Sequence, residues 1–451
     1  MSSNRTLTRR SLLRIAGAAT GTVALAACVA TPTPQVIEKV VKETVVVEKA
    51  VTAVPSDISG QVSMWAFPMG SDDMTALWNP LIQRFSQQYP GIKVNIELLP
   101  WDGRREKMMT AFAAGQAPAM AYVNTDTISL FGMNDVLLPL DDIIPQADWE
   151  DVVGNLLGGL SWEGRHIMYP CLLIAMGELY NKKLCRDVGW DPAKAPYTWD
   201  DIRQLGALGK PKGYYVWDAP VSWGWFMDFL WQSGGAAFDE DVTKCLIDSD
   251  ATREAMNFYK ELYDNGWVPK EGASGSSAES LGVNYWIDEK QIISGWGSAS
   301  LTTNTQTQKP DLEFDICPTF KNKLQVQIGG AGCWGVFKGT KDMNSATAWL
   351  LWLIRPEQQG FYGSVTKFAP PRTSAWAFWA VDPMPRKFTE IRLPYLQMNQ
   401  DSNYFFEEVH AIWDPHMQAA ILGKESVDEA IKASAAEIQT LIDEWNAKRT
   451  G

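Results

Sequence analysis

The segment from Gln61 to Val123 switches between strand and helix patterns, and that order constrains the architecture more than anything else in the chain. Gln61 to Phe67 reads as a strand. Leu77, Leu81, Phe85 and Tyr89 then fall at helical spacing, and Pro90-Gly91 stops that helix. Ile92, Val94 and Ile96 alternate with Lys93, Asn95 and Glu97, the mark of a half-buried strand. A second helix runs from about Arg104 to Ala114 and is ended by Gly115 and Pro118; Met120 to Val123 is a short strand. A β-α-β-α-β order predicts a parallel sheet covered by helices. Such sheets bind ligands at the carboxyl ends of their strands. Weight therefore falls on Phe67, on Trp101-Asp102 and on Asn124-Thr125-Asp126.

The middle of the chain has another texture. Trp217, Trp223, Trp225 and Trp231 crowd one stretch. Thr198 or Asp200 is a cap for one helix, and Ser249 or Asp250 for the helix carrying Ala255, Met256, Tyr259, Leu262 and Tyr263. Asn265-Gly266 closes the latter. Ala346 to Ile354 reads as a buried helix ended by Pro356. The last helix opens on the capping box Ser426-Val427-Asp428-Glu429. With 451 residues, 46% of them hydrophobic, the chain has enough apolar sequence for two lobes or domains with real cores.

Charge excludes one class of partner. The net charge is −13, from 40 Lys+Arg against 53 Asp+Glu, whereas phosphate binding needs clustered cations. No nucleic-acid partner is expected. The cations are uneven: Arg5, Arg9, Arg10 and Arg14 precede the first acid, Glu38. The uncharged stretch Ile15 to Ala27 follows them and is shorter than the roughly 20 residues of a spanning helix. A basic segment before a short apolar one is an export signal. Its paired arginines resemble a twin-arginine signal, and Leu25-Ala26-Ala27-Cys28 resembles a bacterial lipobox, in which Cys28 becomes the lipidated first residue. Residues 1–27 are thus read as a signal peptide, and 28–57 as a lipidated cysteine with an extended linker reaching roughly 90 Å.

Five cysteines remain: Cys171, Cys185, Cys245, Cys317 and Cys333. An odd count leaves at least one thiol without an internal disulfide partner, and the spacing assigns no pairing. His166, His410 and His416 are the only histidines, and no zinc spacing appears. No metal or cofactor is expected from these patterns, and nothing in them speaks for or against calcium.

Several blocks together carry a family resemblance. They are Phe112-Ala113-Ala114-Gly115-Gln116-Ala117-Pro118, then Val136-Leu137-Leu138-Pro139-Leu140-Asp141-Asp142. Gly234-Gly235 follows, then Phe258-Tyr259-Lys260-Glu261-Leu262, Gly329-Gly330, the Ala346–Arg355 helix and Pro370-Pro371-Arg372-Thr373-Ser374. In order and spacing, over residues 58–451, the chain resembles the extracellular solute-binding proteins of ABC importers, of the large sugar-binding family. It departs at Pro118-Ala119, where the family often has Pro-Asp, so no role is carried over there. The resemblance implies an α/β, periplasmic-binding-protein-like fold: two lobes, each a mostly parallel sheet covered by helices, with a hinge between them. It places residues 58–165 and 315–366 in lobe 1, and 166–314 and 367–451 in lobe 2. It also implies ligand in the cleft, hinge closure and a membrane permease as partner, the protein being a monomer on the extracytoplasmic face of the cell membrane.

The chemistry on offer is stacking plus hydrogen bonding. The chain has 21 tryptophans, and an indole supplies a flat apolar face and one N–H donor. A pyranose offers C–H groups on its faces and hydroxyls on its rim. Trp349, Trp352 and Trp445 sit on amphipathic helices and are read as core. Tryptophans beside Gly, Pro or Ser are the cleft candidates: Trp65, Trp101, Trp223, Trp225, Trp296 and Trp334. Trp296 leads them, in Ser294-Gly295-Trp296-Gly297-Ser298, where the family often places a stacking aromatic. Phe67 joins it as a strand-end residue. Gly329 and Gly330 are candidates for bringing backbone amides to the ligand. Asp102 and Asp126 are candidate hydroxyl acceptors, and Arg372 is either a cleft donor or a structural ion pair.

Gly330-Ala331-Gly332-Cys333-Trp334-Gly335 matches G-x-G-x-x-G literally, but the residues after it read as a continuing strand rather than a helix, so no dinucleotide is expected. Two rival functions share these residues. An exported glycoside hydrolase or lyase needs two carboxylates across one bond. The same fold could instead bind a polyamine, a peptide or an opine, the first through cation–π contact and ion pairing.

Overall fold

The strand order predicted for residues 61–123 is present. In the computed structural model, β1 (Gly60–Ala66) pairs in parallel with β2 (Ile92–Leu98) on one side and β3 (Met120–Asn124) on the other. The structure describes residues 57–69, 73–101, 103–277, 282–398 and 404–450. The signal peptide, Cys28, nearly all of the linker and Asp102 lie outside them.

Six further strands fall between β3 and the last, β10: β4 (Ser161–Trp162), β5 (Arg165–His166), β6 (Tyr169–Ala175), β7 (Leu179–Asn181), β8 (Phe314–Ile316) and β9 (Gln327–Val336). β10 is Leu396–Gln397. The main sheet runs β10-β9-β3-β1-β2, with β6 on the other edge of β9. It is mixed, because β9 lies antiparallel to both β3 and β6. β9 is crowded: a Cβ at Gly332 would stand 2.1 Å from the Tyr122 hydroxyl, so only glycine lets β3 and β9 pair there. This is the glycine-rich run that mimics a dinucleotide motif, and it continues as strand to Val336.

The helix Met343–Leu353 covers β1, and the helix Asn79–Gln88 packs against β2. Val62, Met64 and Ala66 alternate inward, and the Trp349 indole donates to the Met64 sulfur at 3.3 Å. Pro80 lies in the first helical turn, where a missing N–H is harmless.

The other half is largely helical. Helices Trp199–Gly209, Trp223–Gln232, Asp250–Asp264, Phe406–Ile421 and Val427–Thr450 surround a Trp–Phe core in which Phe226 lies 4.7 Å from Trp413. Thr198 and Asp201 form a capping box, and Ser249 caps the third of these helices. Extended segments here amount to the β7–β8 pair and isolated bridges such as Tyr180 with Ile293 and Tyr215 with Gln291. The expectation of a mostly parallel sheet in this half differs from what is observed. Aromatic helices, not strands, supply its buried area.

Ser426 and Glu429 exchange hydrogen bonds of 2.9 and 3.2 Å, the capping box read from the sequence. Beside it His416 contacts Glu425 at 3.0 Å and Glu437 at 3.3 Å. Burial opposes the charged imidazole, but the two carboxylates outweigh it and raise the His416 pKa above 6.5. A raised folded-state pKa contributes stability that is complete below the ordinary value and is lost as pH rises through the folded one. The melting temperature should therefore fall on raising the pH from about 6 to about 8, and His416→Gln should reduce that slope, the remainder coming from buried acids with raised pKa such as Glu178. An unchanged slope in the variant would assign it to other groups.

No disulfide joins the five described cysteines. Among the described residues no helix is long and apolar enough to cross a membrane.

Candidate ligand-binding cleft

At the carboxyl end of β3 the chain turns through Asn124, Thr125 and Asp126. On β9, Gly329 and Gly330 pair with Ala175 and Ile174 of β6. From the helical half come Phe406, the first residue of its helix, and Trp296. The Trp296 loop is tied to the end of β6 by reciprocal backbone bonds between Gly177 and Gly297, 2.8 and 2.9 Å. These residues, with Ile174, Met176 and Ile328, line an open cavity of ≈ 160 Å³. Of the sequence candidates, Trp296, Asp126, Gly329 and Gly330 are thus brought together. Trp225 stands behind Trp296, with ring centroids 5.2 Å apart.

The polar groups facing this cavity are only partly used. Asp126 accepts from Arg105 at 2.7 Å and from Arg104 at 3.4 Å through one oxygen, Oδ2. Among the described residues its Oδ1 is buried without a partner, as are Asn124 Oδ1 and Trp296 Nε1. Burying such atoms unpaired costs roughly 1–3 kcal/mol each. Two acceptors and one donor between Trp296, Phe406 and Ile174 suit a ligand with an apolar face and a hydroxyl rim. Arg105 also bonds Glu407 at 2.9 Å, which links the helix Arg104–Ala113 beside the sheet to the helix Phe406–Ile421.

The remaining candidates are placed elsewhere. Trp65 is half-buried, donates to Glu97 at 2.8 Å and lies under Lys107, away from the cavity. Phe67 is buried and stacks on Trp101 at 4.9 Å, behind the strand ends. Trp101 itself donates to the Pro68 carbonyl at 3.0 Å. Trp223 packs in the helical core against Trp413 at 5.5 Å. Trp334 is core in the sheet, against Trp78, Tyr122 and Tyr362. Arg372 is a structural cation: it bonds Asp148 at 2.8 Å, Asp151 at 2.7 Å and the Ile354 carbonyl at 2.7 Å, which leaves no guanidinium group aimed at a ligand. In each case an apolar or ionic partner within the protein takes up the side chain.

Sequence reasoning missed Ile174, Met176, Ile328 and Phe406 as cavity walls, and Arg105 as the group that orients Asp126. An apolar strand such as β6 reads as core along its whole length, so nothing distinguishes Ile174 from Leu172. The pair Arg104-Arg105, opening the helix that follows β2, was the one legible signal. Among the described residues no three His, Cys, Asp or Glu side chains converge as a metal site.

The profile of the bacterial extracellular solute-binding protein family matches residues 71–360. A binding protein of Brucella abortus is 21% identical over 385 residues, which span 79% of this chain and 88% of its own. The diacetylchitobiose binding protein DasA of Streptomyces coelicolor is 20% identical over 307 residues, 66% of this chain and 70% of its own. Among solved structures, the sugar-binding protein MalE of Xanthomonas citri superposes with a TM-score of 0.75 at 20% identity, covering 87% of this chain and 100% of that one. The cyclic alpha-maltosyl-1,6-maltose binding protein of Arthrobacter globiformis gives 0.73 at 18% identity, covering 86% and 100%. These structures share the two-lobed α/β fold. With its mixed sheet, helical second half and cleft at the strand ends, the chain belongs to the family of bacterial extracellular solute-binding proteins.

Proposed function

We propose that this protein captures a carbohydrate, an oligosaccharide, in the cleft beside Trp296 and hands it to an ABC permease. A member of this family is a binding protein rather than an enzyme, which removes the hydrolase reading. One observation carries the carbohydrate: buried polar atoms of Asn124, Asp126 and Trp296 lie unpaired around an aromatic-walled cavity. Hydroxyl groups pair such atoms while C–H faces stack on the indole. Relatives named for diacetylchitobiose and for a cyclic maltooligosaccharide support the same class.

The anchoring belongs to this proposal. The twin-arginine-like leader and Cys28 support export and lipid attachment to the outer face of the cell membrane, as a monomer on a long tether. So do the lobes, with 58–165 and 315–366 forming one and 166–314 and 367–451 the other.

Thermal denaturation of the full chain against panels of saccharides, peptides and polyamines tests the reading. An oligosaccharide at 100 times its Kd should add about 2.7 kcal/mol of stability and be recovered intact. Stabilisation by peptides alone would discard the carbohydrate while keeping the fold.

A further inference from the structure

Beside the Trp296 indole lies a second, narrow recess of ≈ 10 Å³, room for one small group, that shares this ring with the cleft. Trp217, Trp225, Phe229 and Phe320 form its other aromatic walls, and two carboxylic side chains, Glu178 and Asp228, line it. Glu178 is 3% and Asp228 9% exposed. Among the described residues neither forms an ion pair. The Asp228 carboxylate accepts the Ile328 N–H at 2.6 Å, and Ile328 is itself a wall of the cleft. Among the described residues none donates a hydrogen bond to the Glu178 carboxylate.

Groups packed around the two acids do not neutralise them. Arg392, fully buried, is the cation facing Glu178, yet its guanidinium donates to the carbonyls of Phe388, Glu178 and Cys317 at 3.0, 3.1 and 2.8 Å. It also lies flat on the Phe388 ring at 3.8 Å. The Cys317 thiol faces Glu178 and the Tyr259 hydroxyl faces Asp228; burial keeps both neutral. Burial pushes Glu178 up to about 7 against the pull of Arg392. It raises Asp228 as well, opposed by the Ile328 N–H and reinforced by the charge of Glu178. Were both acids ionised, the single arginine would leave the recess short of one positive charge, in an apolar setting where an unpaired carboxylate is expensive.

We propose that the ligand of this cleft is an amine-bearing saccharide, whose protonated amine is held at the Trp225–Trp296 wall against Glu178 and Asp228. This rests on the carbohydrate reading and narrows it. A cation there gains ion pairing in a poorly solvated place together with the faces of two indoles. Its arrival also favours the ionised acids, so binding at neutral pH releases protons to the buffer.

Titration calorimetry of the full chain at pH 7 separates the possibilities, with three probes: a glucosamine oligomer, the cello-oligosaccharide of equal length, which carries hydroxyl in place of amine, and spermidine. The glucosamine oligomer should bind at least about tenfold more tightly than the cello-oligosaccharide, with a heat that changes with the ionisation enthalpy of the buffer. Glu178→Gln with Asp228→Asn, which keep the shape and the acceptor for Ile328, should erase that preference. Their effect on cello-oligosaccharide binding should stay within about threefold. Equal affinity for the two saccharides, or binding of the cello-oligosaccharide alone, overturns the cationic recess and leaves the carbohydrate reading standing. Binding of spermidine with neither saccharide keeps the recess and removes the carbohydrate. Absence of binding by either amine overturns the recess.

Discussion

Trp296→Ala is expected to weaken saccharide binding by about 1–3 kcal/mol, roughly 5- to 150-fold in Kd, with little change in the denaturation midpoint. The split follows from where the ring stands. Trp296 is half-exposed on the loop Ser294–Ser298 and lines both the cleft and the acidic recess. Its Nε1 has no partner among the described residues, so removing the indole orphans no protein acceptor. The loop itself is held by the Gly177–Gly297 backbone pair, which the substitution leaves intact. Trp296→Phe should recover part of the affinity, because a phenyl ring restores the stacking face but not the N–H. Calorimetry on the two variants, with urea denaturation alongside, checks both halves. Full affinity in the alanine variant would remove Trp296 from the site and with it the aromatic argument for a sugar.

Trp296 was singled out by its flanking glycines and serines after the apolar pair Ile292-Ile293, and by the resemblance, since the family often places a stacking aromatic at that position. Asp126 was legible for a different reason. Strand–helix alternation over residues 61–123 points to the carboxyl ends of the strands, and Asp126 follows β3 at such an end, on the wall of the cavity. Periodicity of this kind is set by side chains on one element and survives without tertiary information. What pairs with what does not. Arg372 and Asp151 lie far apart in the sequence, and only the isolated bridge between Val152 and Arg372 brings them together. Nor does composition tell a cleft indole from a core one. Trp223 and Trp225 are neighbours on one helix, and its rotation alone buries the first against Trp413 and turns the second toward Trp296. Glu178 and Asp228 were passed over because single acids in apolar surroundings carry no local signature.

Trp334 gives the opposite expectation to Trp296, although both sit between glycine-rich neighbours. Trp334→Ala should cost about 3–5 kcal/mol of stability, the range for deleting a large aromatic from a packed core. The ring is 1% exposed, with Trp78, Tyr122 and Tyr362 at 5.8, 5.9 and 5.5 Å. Its strand pairs on both sides, with Tyr122 of β3 and Tyr169 of β6, so neither edge opens to let the site collapse. Tyr122 is also the residue that Gly332 must clear, and losing Trp334 leaves that ring without a wall on one side. Trp334→Phe should cost less, and the variant should bind saccharide as the parent does once it is folded. Urea midpoints and calorimetric affinities measured on the same samples distinguish the two tryptophans. A Trp334→Ala protein with parental stability and lost affinity would move this ring from the core into the cleft.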